Sequence, residues 1–420
     1  MGKAILVGLC TDNESQIDNS MEELASLAEA CDMEVAGTMV QTLAHPVSAT
    51  YIGQGKAEEI SYMVSNMEVE YVIFEDTLTP TQHKNLSKII KAEVMDRTGL
   101  ILEIFSCRAQ TREAKLQVET AQLQYMLPRL IGMWEAIGRQ GGTSGSKSSK
   151  GVGETQLELD RRWIQRRLTQ LRRELETIEH DRNVQRARRE KSRYPLVSLV
   201  GYTNAGKSTL MNRLLSLYGD EDKQVLEKDM LFATLDTSVR KIDMPDKKSF
   251  LLSDTVGFVD KLPHSLVKAF RSTLDEIKYA DLLIEVVDYS DERCLEHMRV
   301  TNETLRELGA NEIPIIHVMN KADLCPSELK FPRVSGDKIY MSASSMVGMD
   351  ELLEMIKERI YSGNKVVSLL LPYDKGALVN EINNDGNVIK SEYREDGVYI
   401  EADLTPLLLG RCREYVVGDI

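Results

Sequence analysis

Gly201 and Gly206, separated by four residues and followed at once by Lys207, Ser208 and Thr209, form the stretch with the clearest chemistry. The apolar run Val197-Ser198-Leu199-Val200 precedes them and a helical pattern, Leu210, Leu214 and Leu215, follows. A strand that turns through such a loop into a helix is a phosphate-binding device. The intervening Tyr202, Thr203, Asn204 and Ala205 would turn their backbone N–H groups inward around a polyphosphate. The two glycines stand where a side chain would clash. Lys207 would reach the outer phosphates as a point charge, and Ser208 would place its hydroxyl on Mg²⁺. The positive end of the helix dipole adds to the same anion site.

Two further motifs fall at the ends of later strands. Asp254-Thr255-Val256-Gly257 follows Ser249-Phe250-Leu251-Leu252-Ser253, so the Asp254 carboxylate would hold Mg²⁺ through water and the Gly257 N–H would meet the γ-phosphate. Asn320-Lys321-Ala322-Asp323 follows Ile315-Ile316-His317-Val318-Met319. A carboxylate there pairs with the two N–H donors on the Watson–Crick edge of guanine. Adenine would leave it unpaired, and a site built to pair a polar group rejects ligands that cannot. The Lys321 stem would cover the base, and Ser342-Ala343 would supply a backbone N–H to O6. The ordered set specifies GTP and GDP, with Mg²⁺, rather than ATP.

Leu231-Phe232-Ala233-Thr234-Leu235-Asp236-Thr237 lies between the loop and Asp254, where a first switch segment belongs. The hydroxyl of Thr234, or else of Thr237, would join Mg²⁺ only while the γ-phosphate is present. Lys207, Thr234, Gly257 and Phe258 then surround the γ-phosphate as the catalytic set. Phe258 stands where Ras-type enzymes carry a water-orienting glutamine, and it has no group for that task. A low basal rate follows, with water positioned by backbone, by a switch or by a partner. His264 reads as a helix-start surface residue rather than a base.

These motifs need a scaffold of alternating strand and helix, and residues 194–362 supply it through the apolar runs Leu282–Val287, Pro314–Met319 and Ile339–Met341. Residues 363–420 read as a small α+β unit: strand, helix, two strands and a final helical turn. Residues 1–110 show a second α/β rhythm, with strands at Ala4–Leu9, Glu34–Leu43, Tyr71–Phe74 and Glu93–Met95. Gly53-Gln54-Gly55-Lys56 there lacks the phosphate-loop spacing and reads as a loop and helix start.

Residues 111–193 change to long helix. Leu116, Leu123 and Leu130 recur every seven residues, as do Leu157, Ile164, Leu171 and Ile178, with Leu168 and Leu175 in the second seam position. Two such helices make an antiparallel hairpin, and the second, over 155–190, would be roughly 50 Å long at 1.5 Å per residue. Gly138 to Gly153 reads as a non-helical Gly/Ser/Lys-rich tip.

The net charge of −14 conceals a local reversal. From Arg161 to Arg193 twelve Lys/Arg stand against five Asp/Glu, a surplus of seven that leaves −21 for the remainder. A basic stalk with a basic tip could probe a phosphate-lined surface, or could be a solvated coiled-coil face. The six cysteines show no C-x-x-C pair, which speaks against a disulfide framework or zinc site and for a reducing, cytoplasmic setting. No apolar run approaches the ~20 residues that cross a bilayer, and no spare apolar surface demands a second copy.

Over nearly its whole length the chain resembles the HflX family of translation-factor-class GTPases. The resemblance is carried by Asp96-Arg97-Thr98-Gly99-Leu100-Ile101-Leu102, Thr111 to Glu119, Gly153-Glu154-Thr155-Gln156-Leu157-Glu158, the loop Gly201 to Thr209, Phe232 to Asp236, and Asp254 to Phe258. It implies an N-terminal α/β subdomain, a helical hairpin, a GTPase domain and a small C-terminal domain. It also implies association with the large ribosomal subunit and its RNA, ribosome-stimulated GTP hydrolysis, and dissociation of stalled or idle ribosomes under stress. ATP binding and RNA unwinding are described for the family's N-terminal part, and nothing in residues 1–110 supports them. The tip departs from the family's shorter Gly-Arg-Gly-Pro-Gly-Glu type, with Val152 where proline would be. Two other readings stay open on residues alone: a nucleotide-gated ribosome-binding regulator without splitting activity, and an ATP-driven RNA remodeller.

Overall fold

The computed structural model describes residues 2–11, 14–140, 150–192, 194–219, 232, 238–245, 248–255, 257–259, 274–325 and 331–419. The chain forms two compact units. One comprises Met1–Val184 with Lys228–Asp236 and Val259–Leu274, and the other Gln185–Glu227 with Thr237–Phe258 and Asp275–Ile420. Both short segments of the first unit were expected within 194–362.

In the first unit the strand β1 (Lys3–Cys10) is apolar and buried throughout after the exposed Lys3, as a parallel strand covered on both faces must be. It lies between β2 (Glu34–Thr42) and β3 (Tyr71–Phe74), and β4 (Glu93–Asp96) forms the far edge, all parallel. The helices α1 (Glu14–Ala30), α2 (Gln54–Met67), α3 (Pro80–Ile89) and α4 (Arg97–Arg108) connect the strands and follow them. Gly53 is the residue at which α2 begins, and Lys56 pairs with Glu59 at 3.0 Å. This stretch is the helix start that its spacing predicts.

The helices α5 (Arg112–Gln140) and α6 (Lys150–Ser192) form the hairpin. Leu116, Leu123, Ile164, Leu168 and Leu171 make its buried seam, joined by the half-buried Leu127, Leu130, Leu175 and Ile178. Full burial of each such side chain is worth about 1.5–3 kcal/mol. Arg167 grips Glu119 through two bonds of 2.6 and 2.7 Å. Arg112–Glu174 and Arg182–Glu113 add to the antiparallel register. The backbone at 138–140 and 150–153 is helical, which corrects the expectation of a non-helical tip over that whole span. Long-helix propagation past isolated glycines costs only about 1 kcal/mol each, and the remaining tip residues lie outside those described.

The second unit is built on a seven-stranded sheet. Its spatial order is β10 (Arg333–Ser335), β11 (Lys338–Tyr340), β9 (Ile315–Asn320), β8 (Leu282–Asp288), β5 (Leu196–Val200), β7 (Ser249–Asp254), β6 (Ser238–Asp243). The five inner strands are parallel, and β6 and β10 are antiparallel edges. Sequence patterning did not reveal either edge strand. The helices α7 (Lys207–Tyr218), α8 (Cys294–Leu308) and α9 (Met349–Ile360) accompany it. Leu210, Leu214, Ile284, Val286, Ile316, Val318, Leu352 and Ile356 are among its fully buried side chains. This is the P-loop GTPase fold, with the loop at the carboxyl end of β5 between neighbours on both sides.

A third, antiparallel sheet completes that unit in the order β13 (Asn387–Arg394), β14 (Gly397–Leu404), β12 (Lys365–Leu371), β15 (Val416–Asp419). With α10 (Gly376–Asp385) and α11 (Pro406–Cys412) it is a βαββαβ module. Its last strand, β15, comes after the helical turn that the sequence predicts as the final element.

Candidate functional site

The loop after β5 is shaped by its glycines. Gly201 has φ 134°, and a Cβ there would stand 2.3 Å from the Val286 carbonyl oxygen. Gly206 has φ 95°, and a Cβ would meet Asn320 Nδ2 at 2.3 Å. Asn204 also takes the left-handed conformation, φ 59°, which asparagine tolerates better than most side chains. Lys207, the first residue of α7, is buried. Its Nζ donates to the carbonyls of Gly201 at 3.0 Å and Tyr202 at 2.6 Å. Burial pushes the Lys207 ammonium down to about 8, against the opposing pull of Asp254. A polyphosphate in this loop would offer the ammonium anionic oxygens in place of neutral carbonyls.

Ser208 and Asp254 come together at the head of α7 and the end of β7, where Ser208 Oγ donates to Asp254 Oδ2 at 3.1 Å. A hydroxyl and a fully buried carboxylate side by side are hard oxygen donors of the kind Mg²⁺ takes. Thr209 follows them in α7, and Thr255 Oγ1 is fixed on the Leu199 carbonyl at 2.6 Å. Gly257 lies so close to the loop that a Cβ would meet Thr203 Cγ2 at 2.8 Å and Lys207 Nζ at 3.0 Å. Phe258 is buried and its backbone is zipped to the loop. Thr203 N donates to Phe258 O at 2.8 Å, and Phe258 N donates to Gly201 O at 3.1 Å. Its ring is a packing element.

On the base side, Asn320 ties three segments together. Its Nδ2 donates to Ala205 O at 2.9 Å, while its Oδ1 accepts from the Ala343 N–H at 2.9 Å. Lys321, with φ 60°, reaches Asp288 at the end of β8 with a 2.7 Å ion pair. Asp323 is exposed in the short turn Ala322–Leu324, open to an incoming base edge. Ser342 Oγ accepts from Ser345 N and holds the next turn. The structure thus gathers residues far apart in sequence at the carboxyl ends of β5, β7, β8 and β9.

Ala233, Thr234, Leu235, Asp236, Thr237, Val256 and His264 lie outside the described residues. Phe232 is described and belongs to the first unit, where its ring meets Phe105 edge-on with centroids 4.8 Å apart. Residues the sequence reading passed over include Asp288, readable as an acid closing an apolar strand. Another is His297 of α8, whose ring stacks on Tyr202 with centroids 3.9 Å apart. No spacing in the sequence announces that pair.

The motif Asp96-Arg97-Thr98-Gly99 also gains a physical meaning. Asp96, fully buried, accepts from Gly99 N at 2.9 Å and Tyr125 Oη at 2.7 Å through one oxygen. The other oxygen accepts from Leu78 N at 2.9 Å and Arg129 at 2.6 Å. One carboxylate caps α4 and fastens α5, the first hairpin helix, to the sheet. A Cβ on Gly99 would stand 2.8 Å from Tyr125 Oη.

Three families match consecutive parts of the chain: "GTP-binding GTPase N-terminal" over residues 18–106, "GTP-binding GTPase Middle Region" over 108–189, and "50S ribosome-binding GTPase" over 196–321. The GTPase HflX of Caldanaerobacter subterraneus subsp. tengcongensis is 43% identical over 99% of this chain and 94% of its own length. The GTPase HflX of Escherichia coli is 38% identical over 94% and 91%. A crystal structure of a GTP-binding protein from Sulfolobus solfataricus in complex with GDP aligns with TM-score 0.45 and 26% identity, covering 86% of this chain and 98% of that one.

Proposed function

Since the chain belongs to the HflX family of GTPases, we propose that it is a GTP-driven factor of the large ribosomal subunit that separates stalled or idle ribosomes during stress. The observation that carries the reading is the convergence of Lys207, Asp254 and Asn320 around one loop, in a chain that also carries a helical segment with a surplus of seven basic charges.

The amides of Gly201 to Thr209 and the Lys207 ammonium bind the phosphates. Asp323 selects guanine and the Lys321 stem covers its face, while the Ala343 N–H is taken by Asn320 Oδ1. Ser208 and Asp254, with Thr234, are the residues that would hold Mg²⁺, which when bound neutralises charge between the β- and γ-phosphates. Gly257 offers its N–H to the γ-phosphate. Phe258 contributes no polar group to the attacking water, so the chain alone turns over slowly and the ribosome supplies the missing order. GTP orders the segment around Thr234, the basic hairpin docks on ribosomal RNA, and hydrolysis releases it. The factor works as a cytoplasmic monomer; among the described residues no helix is long and apolar enough to cross a membrane.

The test is sedimentation of intact ribosomes after incubation with the chain. Separated subunits are expected with GTP, and not with GDP or with Lys207→Ala. Intact ribosomes under every condition would overturn the proposal.

A further inference from the structure

Helix α6 carries an aromatic side chain that its packing does not use. Ile164, Leu168 and Leu171 are buried against α5, whereas Trp163 is 60% exposed and Leu159 52% exposed. Steps of four and three residues run Leu159, Trp163, Arg166, Gln170, Arg173, Thr177, one stripe on the helix surface opposite the seam. All six are exposed. Among the neighbouring charges, Arg167 is held by Glu119, Arg162 by Glu158, and Glu174 by Arg112. Arg166 and Arg173 have no ion-pair partner among the described residues, and the stripe itself contains no acid.

A tryptophan left open in water at the head of an unneutralised arginine row fits a partner that is both aromatic and anionic. Basic grooves that follow a nucleic-acid backbone and aromatic rings on which bases stack are the two components of single-strand recognition. Arg166 and Arg173 are seven residues apart, about 10 Å along the helix at 1.5 Å per residue. That separation matches phosphates about two nucleotides apart. We propose that this stripe is an RNA-reading surface: Trp163 stacks on an unpaired base of ribosomal RNA while Arg166 and Arg173 bind the adjoining phosphates. The inference deepens the ribosome-binding reading above and rests on it.

The chain holds two tryptophans, Trp134 and Trp163, so Trp134→Phe leaves Trp163 as the sole indole reporter. The full-length variant, with a non-hydrolysable GTP analogue, is titrated with large ribosomal subunits and, separately, with protein-free large-subunit RNA. Trp163 fluorescence is read, and binding is scored independently by sedimentation. Quenching by both probes is expected. Trp163→Ala should weaken RNA binding about tenfold, and Arg166→Glu with Arg173→Glu should abolish the quenching. RNA bound without quenching, or quenching that survives the double arginine change, overturns the proposal. So does quenching by subunits but not by bare RNA, which would assign the stripe to a ribosomal protein. If bare RNA quenches while subunits fail to bind, only the ribosome reading falls. If neither binds, both fall.

Discussion

Asn320 holds the Ala205 carbonyl at 2.9 Å, so a residue of the base-recognition motif fixes the shape of the phosphate loop. Its other amide atom takes the Ala343 N–H. Asn320→Ala should therefore injure both halves of the site. A loss of about 1–3 kcal/mol in urea unfolding is expected for the buried groups left unpaired, with at least about tenfold weaker binding of a fluorescent GDP analogue. Unchanged GDP affinity would show that the loop holds its shape without this bridge.

Asp96 should be the least replaceable residue of the first unit. Asp96→Ala strips Arg129 and Tyr125 of a buried anionic partner, and breaking such a pair from one side costs about 3–5 kcal/mol. Early trypsin cleavage within 112–140 is the accompanying sign that α5 has come loose. Cleavage at the wild-type rate would contradict the clamp.

Lys207 gives nucleotide binding a pH dependence of definite sign. Burial lowers its folded value to about 8, and bound phosphates favour the charged form, so binding above pH 8 takes up a proton. Affinity for GDP should fall as pH rises past about 8, and heats of binding at pH 8.5 should depend on the buffer's ionisation enthalpy. Buffer-independent heats would contradict this.

Glu285 and His317 make a structural pair. They face each other on β8 and β9, with Glu285 Oε2 2.7 Å from His317 Nδ1 and the carboxylate nearly inaccessible. Glu285→Leu alone should be costly, roughly 3 kcal/mol. The double change with His317→Leu should recover most of that, because an apolar pair replaces a buried hydrogen-bonded one at little net cost. A double mutant as unstable as the single one would rule the explanation out.

The legibility of this chain follows from local chemistry. The loop, Asp254 and Asn320 could be read because phosphate and base recognition fix residue types at strand ends, and β5, β7 and β9 end where those motifs begin. The hairpin could be read because its seam repeats every seven residues. Edge strands β6 and β10 could not: apart from the buried Ile242, Ser238–Asp243 and Arg333–Ser335 are half-buried or exposed, and neither carries an apolar run. The Asp96 clamp and the Tyr202–His297 stack join residues that are distant in sequence, so their roles appear only in the folded chain. The Phe258 side chain type shows only that a water-orienting group is lacking, with packing as the alternative; its burial and its two backbone bonds to the loop give its positive role.

Ribosome-stimulated turnover is measured as the rate of GTP hydrolysis by the purified chain, alone and with added large ribosomal subunits, using Lys207→Ala as the blank. A low basal rate that rises many-fold with subunits and is absent in the variant is expected. A rate that subunits leave unchanged would contradict it.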